Sequence, residues 1–242
     1  MERRVADRKE NEKEASLDVL LQGAEKTFAN AEQLFFEAEL LGKAGGVARA
    51  LCLHQISLEE CSKVSNLGVW AVSLVLGLEV NQKKVLAAFA RHSSKNKSNA
   101  YMLEPSEDEL AARARGDWDA AREAFKKTQD AFHDDSNRNK NASFYVDWLD
   151  GEFVAPSERI TKEMLEKITE RNAEFLRYAQ NSLRMLGTLT ASPDVIRDLL
   201  SGFVVEAERL RAEEPDNLEE AMKTMLSSIL EAGKAKFSDR AQ

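Results

Sequence analysis

Phe28, Ala31, Leu34, Phe35, Ala38 and Leu41 recur at steps of three and four residues. That step matches the 3.6-residue turn of an α-helix and places the apolar side chains on one face. The same spacing returns in Leu165, Ile168, Phe175, Leu176, Ala179, Leu183 and Leu186. A chain with long stripes of this kind must bury them against one another, so the pattern points to an all-α fold: a helical bundle with a helical C-terminal extension.

Punctuation divides the chain into helices. Gly42, Gly45 and Gly46 end the first stripe. A second helix opens near Val47 and passes through SLEECSK at 57–63. It either continues into 64–78 or breaks near Asn66 to Gly68. The valines of LGVWAVSLVLGLEV at 67–80 also allow a strand, but no partner strand is evident, and a buried helix is expected. A third helix is expected over 81–103. Pro105, Pro156, Pro193 and Pro215 fall where helices should stop or start. Ser106 with Glu109 reads as a capping box for a helix over 107–133.

Asn and Asp crowd 134–141 and suggest a turn. FYVDWL at 144–149 fits either a short helix or an extended segment, and 149–160 reads as a surface loop. Thr161 is a plausible N-cap for a helix to about residue 188. Ser192-Pro193 opens another helix to about 212, and Asp216 with Glu219 opens a last one over about 216–236. These readings divide the chain into a polar segment 1–24, a bundle 25–190 and amphipathic helices 191–242.

The net charge is −8 over 242 residues. The chain as a whole is not attracted to phosphate backbones, so a nucleic-acid site must be a local basic patch. Cys52 and Cys61 lie nine residues apart on one expected helix, about 13 Å along its axis, which excludes a disulfide in regular geometry. No Cys/His cluster has zinc-ligand spacing. Met1 to Ser16 is a mixed-charge run without an apolar core, unlike a signal peptide. The apolar stretch 67–80 is too short to span a bilayer. A cytoplasmic protein with no membrane partner is the expectation. Gly-rich phosphate loops, GxSxG, HExxH and paired-carboxylate signatures are absent, so ATPase, serine hydrolase and zincin chemistry have no residues to rest on, and no cofactor or metal is expected.

Three segments carry candidate chemistry. Glu59 and Lys63 stand four apart with Glu first. With Glu60 they form either a surface ion pair or a cleft-lining group that orients a phosphate or a partner. Residues 81–103 hold Lys83, Lys84, Arg91, Lys95 and Lys97 and no acidic residue, a basic strip in an acidic chain. His92 and Lys95 share a helix face there. A His among cations has a lowered pKa and stays neutral near pH 7, able to accept a 2′-hydroxyl proton while Lys or Arg stabilises the phosphorane. The alternative is a solvated basic face with an incidental His.

The third segment, RNKNASFY at 138–145, places Arg138 and Tyr145 two turns apart if helical. Arg138 is able to clamp a phosphate, and the alternative is a polar turn followed by the core aromatics Phe144, Tyr145 and Trp148. Arg49 and His54 have a nuclease-like spacing, but His54 lies in an apolar helix and reads as a partnered core residue. His133, near Asp134 and Asp135, reads as a helix C-terminal residue.

Taken in order, four stretches resemble the AbiV-type abortive infection proteins, bacterial phage-defence proteins of the HEPN superfamily of helical bundles, which contains many RNases. They are AEQLFFEAELLGKAGGVARALCL at 31–53, SLEECSK at 57–63, RHSSKNK at 91–97 and FYVDWLDGEFVAPSERIT at 144–161. SLEECSK resembles the family's Glu-Glu-x-x-Lys signature, with Cys61-Ser62 where Leu-Gly is more usual. The resemblance covers about residues 25–185.

It implies a HEPN-like bundle and singles out Glu59, Glu60, Lys63, His92, Lys95, Arg138, Tyr145 and Asp147. On the nuclease reading, His92, Arg138 and Tyr145 are catalytic, Lys95, Arg91 and Lys97 bind RNA phosphate, and Glu59, Glu60, Lys63 and Asp147 orient the site. The chain departs from the superfamily at Tyr145, which stands where a His is expected. Tyrosine, with a pKa near 10, is a poor base at pH 7. Either His92 supplies the base from the adjacent helix, or RNA is not cut by the usual route. Two functions therefore stay open, beside a purely structural helical scaffold whose C-terminal helices bind a partner. One is a metal-independent ribonuclease, expected by analogy to be a homodimer. The other is a non-enzymatic protein that arrests translation or phage replication by binding a phage or host protein.

Overall fold

The computed structural model describes residues 15–213. The capping box expected at Asp216 and the last helix expected over 216–236 lie outside the described residues.

The Ser16 hydroxyl accepts from the Val19 amide and opens α1 (Leu17–Lys43). Most of the expected stripe faces inward: Phe28, Ala31 and Ala38 are buried, as are Leu20 and Ala24 before them, while Leu41 at the end of the helix is exposed. Gly45, at φ +87°, ends the helix, and the Gly46 amide reaches back to the Leu41 carbonyl at 2.8 Å. The chain then reverses into α2 (Val47–Val75). Ser57 of α2 meets Ala31 of α1, and Leu67 meets Gly23, so the two helices are antiparallel.

The second helix is unbroken past Asn66 and Gly68, because it is buried on several sides at once. No residue from Ala50 to Val64 is fully exposed. The third helix of the trunk, α8 (Lys162–Ala191), starts after Thr161, whose hydroxyl accepts from the Met164 amide. It runs parallel to α2: Asn172 meets Ser57, and further along Arg197 Nε donates to the Val75 carbonyl from α9 (Pro193–Glu213). Leu58, Cys61, Val64, Leu67 and Trp70 of α2 form the main core with Phe28 of α1 and Phe175, Ala179 and Leu186 of α8.

The connection from α2 to α8 builds a second layer. The single helix expected over 81–103 is instead α3 (Gln82–Phe89), α4 (His92–Asn99) and a 3₁₀ turn over Ala100–Met102. The break falls at Arg91, whose backbone is extended (φ −100°, ψ 120°). The helix expected over 107–133 is also divided. Gly116, at φ +69°, ends α5 (Glu107–Ala114), and the Asp117 carboxylate caps α6 (Trp118–Ala142) at the Ala120 amide.

No turn forms at 134–141. The helix α6 passes straight through, because Ser136 and Ala142 are buried and packing overrides the turn preference of Asn and Asp. The expected loop at 149–160 is likewise corrected. Strands β1 (Asp147–Leu149) and β2 (Glu152–Val154) pair antiparallel around Asp150 (φ 49°) and Gly151 (φ 95°), the two positive-φ positions that an Asp-Gly hairpin turn requires. The short helix α7 (Pro156–Arg159) leads into α8. No described helix is long and apolar enough to cross a membrane.

Candidate functional site

The centre of α2 presents a carboxylate to the second layer. Glu59 is 1% exposed; its Oε2 accepts from Lys95 Nζ of α4 and its Oε1 from Lys140 Nζ of α6, both at 2.8 Å. Both lysine side chains are themselves largely buried. Burying three charges has a large desolvation penalty, offset here by short charge-assisted hydrogen bonds on both carboxylate oxygens. Around them Asn99 Nδ2 donates to the Leu58 carbonyl at 2.7 Å and Ser98 Oγ to Asn66 Oδ1 at 3.0 Å. Asn96 is fully buried, and its side-chain amide meets no partner among the described residues.

The surface pair Glu59–Lys63 does not form. Lys63 instead meets Glu60 at 2.5 Å, one turn along the same helix, and Glu59 turns inward. Nor is the basic strip one solvated face. Lys95 points into the bundle, Lys97 pairs with Asp130 at 2.6 Å, and Arg91 is exposed at the head of α4. The hydrogen bond from Lys97 is the main cause that holds the Asp130 carboxyl below its ordinary range. His92 is the first residue of α4; its side chain lies outside the described atoms.

Arg138 stands apart from this cluster within the chain. It lies two residues before Lys140, a rotation of about 200° around α6, so its side chain leaves on the far face. There it is 66% exposed and pairs with Asp135. Tyr145 is 60% exposed beyond the end of α6, and Asp147 pairs with Arg159. The structure therefore joins Glu59 to Lys95 and sets Arg138 and Tyr145 elsewhere on the same chain. The residue missing from the sequence reading is Lys140. It was legible as the next step of an inward stripe, Phe132, Ser136, Lys140, Ser143, once α6 is allowed to run past residue 134.

A second buried polar network holds His54, which is fully buried. Asn172 Nδ2 donates to its Nδ1 at 3.1 Å, and its Nε2 lies 2.9 Å from Thr169 Oγ1, the neutral imidazole with the proton on Nε2. The Ser57 hydroxyl sits between the Ala31 carbonyl and Asn172 Oδ1. Burial pushes the His54 pKa down to about 4, against the pull of Glu39, 3.9 Å away. Arg49 points elsewhere: its guanidinium donates to the Ser143 and Phe144 carbonyls and stacks 4.6 Å over the Phe144 ring. His54 is thus a partnered core residue, as its apolar helix suggested. Among the described residues no group of His, Cys, Asp and Glu has the makings of a metal site.

The three helices of the trunk, a short hairpin and a polar layer joined through a buried carboxylate define the class, a helical-bundle protein. The AbiV family model, of HEPN type, matches residues 19–177, and the chain belongs to that family. Over 108 residues it is 65% identical to the uncharacterized protein y4gJ of Sinorhizobium fredii, a match that spans 45% of this chain and 56% of that relative. The chain thus covers little more than half the length of the curated relative it matches. No solved structure matches it. Glu59, Lys95, Arg138, Lys140, Tyr145 and Asp147 all fall inside the family match.

Proposed function

We propose that this AbiV-family chain is a bacterial anti-phage protein of the abortive-infection type, acting by binding a phage or host protein rather than by cutting RNA. The observation that carries this reading is the apolar surface that follows α6. Phe144, Tyr145, Val146, Trp148, Leu149 and Phe153 are all exposed within ten residues of sequence, Phe153 at 75%. Exposed apolar patches of this density mark contact surfaces. Asp150, Glu152 and Glu158 are exposed around them, so the partner is a protein with an apolar recess rimmed by Lys and Arg. The engagement of Lys95 by Glu59, and the outward course of Arg138, support binding over hydrolysis within one chain.

The test pairs a phage-growth assay with an RNase assay on purified protein without metal. The wild type is expected to suppress phage growth and leave RNA intact. The doubly substituted Trp148→Ser, Phe153→Ser chain is expected to fold and to lose suppression. RNA cleavage that vanishes in His92→Ala and Arg138→Ala would overturn the reading.

One observation favours the ribonuclease as a second reading. Arg138 and Tyr145 are exposed, so in a homodimer a neighbouring copy has access to them and is able to supply His92. A mixture of His92→Ala and Arg138→Ala chains would then regain cleavage that neither has alone.

A further inference from the structure

Where α1 reverses into α2, a groove of about 480 Å³ opens, lined by Gly45, Gly46, Val47, Arg49, Ile160 and Lys162 among others. No carboxylate lines it among the described residues. Its two cations, Arg49 and Lys162, are exposed, and neither forms an ion pair with a carboxylate among the described residues. In a chain of net charge −8, two cations lining one concavity without a carboxylate partner make a local positive site.

The backbone adds to it. The first turn of the 29-residue helix α2 forms one wall; it has no capping side chain and no acidic residue, so the amides of Val47 and Ala48 remain available as donors. The Arg49 guanidinium uses one nitrogen on the Ser143 and Phe144 carbonyls, which fixes it in place and leaves further N–H groups free. Pro156, Val47 and Ile160 supply an apolar wall. The volume falls in the range of small-molecule sites.

We propose that this groove binds a small phosphomonoester, its phosphate held by Arg49, Lys162 and the amides at the head of α2, its organic body against Pro156 and Ile160. The groove adjoins the hairpin surface, since Arg49 stacks over Phe144, but none of the exposed apolar residues of that surface lines it.

Isothermal titration of the full chain with inorganic phosphate, ribose 5-phosphate, AMP and adenosine tests it. The phosphate-bearing probes are expected to bind and adenosine not. Tighter binding of ribose 5-phosphate and AMP than of inorganic phosphate assigns the apolar wall to the organic body; equal binding reduces the ligand to the phosphate group itself. Lys162→Glu, an exposed position whose change leaves the melting temperature nearly unaltered, is expected to weaken binding at least tenfold. Arg49→Gln should weaken it too, although it also removes a contact to the end of α6. An absence of binding at millimolar probe, or binding unchanged in Lys162→Glu, overturns the proposal.

Discussion

Lys140 Nζ lies 2.8 Å from Glu59 Oε1 across 81 residues of chain, on the face of α6 opposite to the one that carries Arg138. Lys95 occupies the other oxygen of the same carboxylate. Removing Glu59 would leave two ammonium groups buried without a counter-charge. Glu59→Leu is therefore expected to destabilise the fold by about 3–5 kcal/mol, the range for breaking a buried pair. Glu59→Leu with Lys95→Met and Lys140→Met should recover most of that loss, since none of the three buried charges of this cluster remains. Urea unfolding of the two variants checks both statements; equal stability of the single and triple variants would contradict them.

Acid should weaken the fold through His54. Its pKa in the folded chain is about 4, below the ordinary 6.5 of the unfolded chain. The unfolded state therefore takes up a proton first as pH falls. Stability from this group is complete above pH 6.5 and declines from there to about pH 4, where the folded chain also protonates. The loss amounts to at most about 3 kcal/mol. The measurement is unfolding free energy against pH, and His54→Gln should flatten the slope in that window.

The hairpin turn depends on Gly151 at φ 95°. A β-branched residue there forces an unfavourable backbone, so Gly151→Val should cost about 1–2 kcal/mol. Because Trp148 and Phe153 meet edge to face across the strands with ring centroids 4.8 Å apart, the same change should scatter the exposed aromatics. Loss of phage suppression with the core intact, read by near-ultraviolet circular dichroism and plaque counts, is the expected outcome.

Neither cysteine should act as a nucleophile. Both are buried and free, and burial, reinforced by Glu60, pushes the Cys61 thiol up to about 12. Burial also raises the Cys52 thiol, against the opposing pull of Lys140 and Arg49. A thiol reagent at pH 8 is expected to label the native chain slowly and the urea-unfolded chain at both sites.

The trunk was legible because its signals are local. The stripe of α1, the glycines after it and the Thr161 cap each state a helix or its end within a few residues. The second layer was not. Nothing in Ala90-Arg91 marks a break, and the Asn-rich run 134–141 signals a turn on its own yet packs as helix against α2. The hairpin was written in Asp150-Gly151 and overlooked, since the strands around it are only three residues long. Glu59 and Lys95 were singled out from the sequence, whereas their meeting depends on contacts between distant segments that spacing cannot express. Lys140 escaped because a lysine near a supposed turn has no reason to face inward.

The seam between α2 and the α4–α6 layer is centred on ammonium, carboxylate and amide groups, while the α1–α2–α8 trunk packs aliphatic and aromatic side chains around the His54–Asn172–Ser57 network. The two junctions therefore answer to different solvents. Salt and competing anions act on the ionic junction, whereas the acid response of His54 belongs to the trunk. A change at the Glu59 centre and a change in the aliphatic core therefore draw on different physical terms, ion-pair geometry in the first and buried volume in the second.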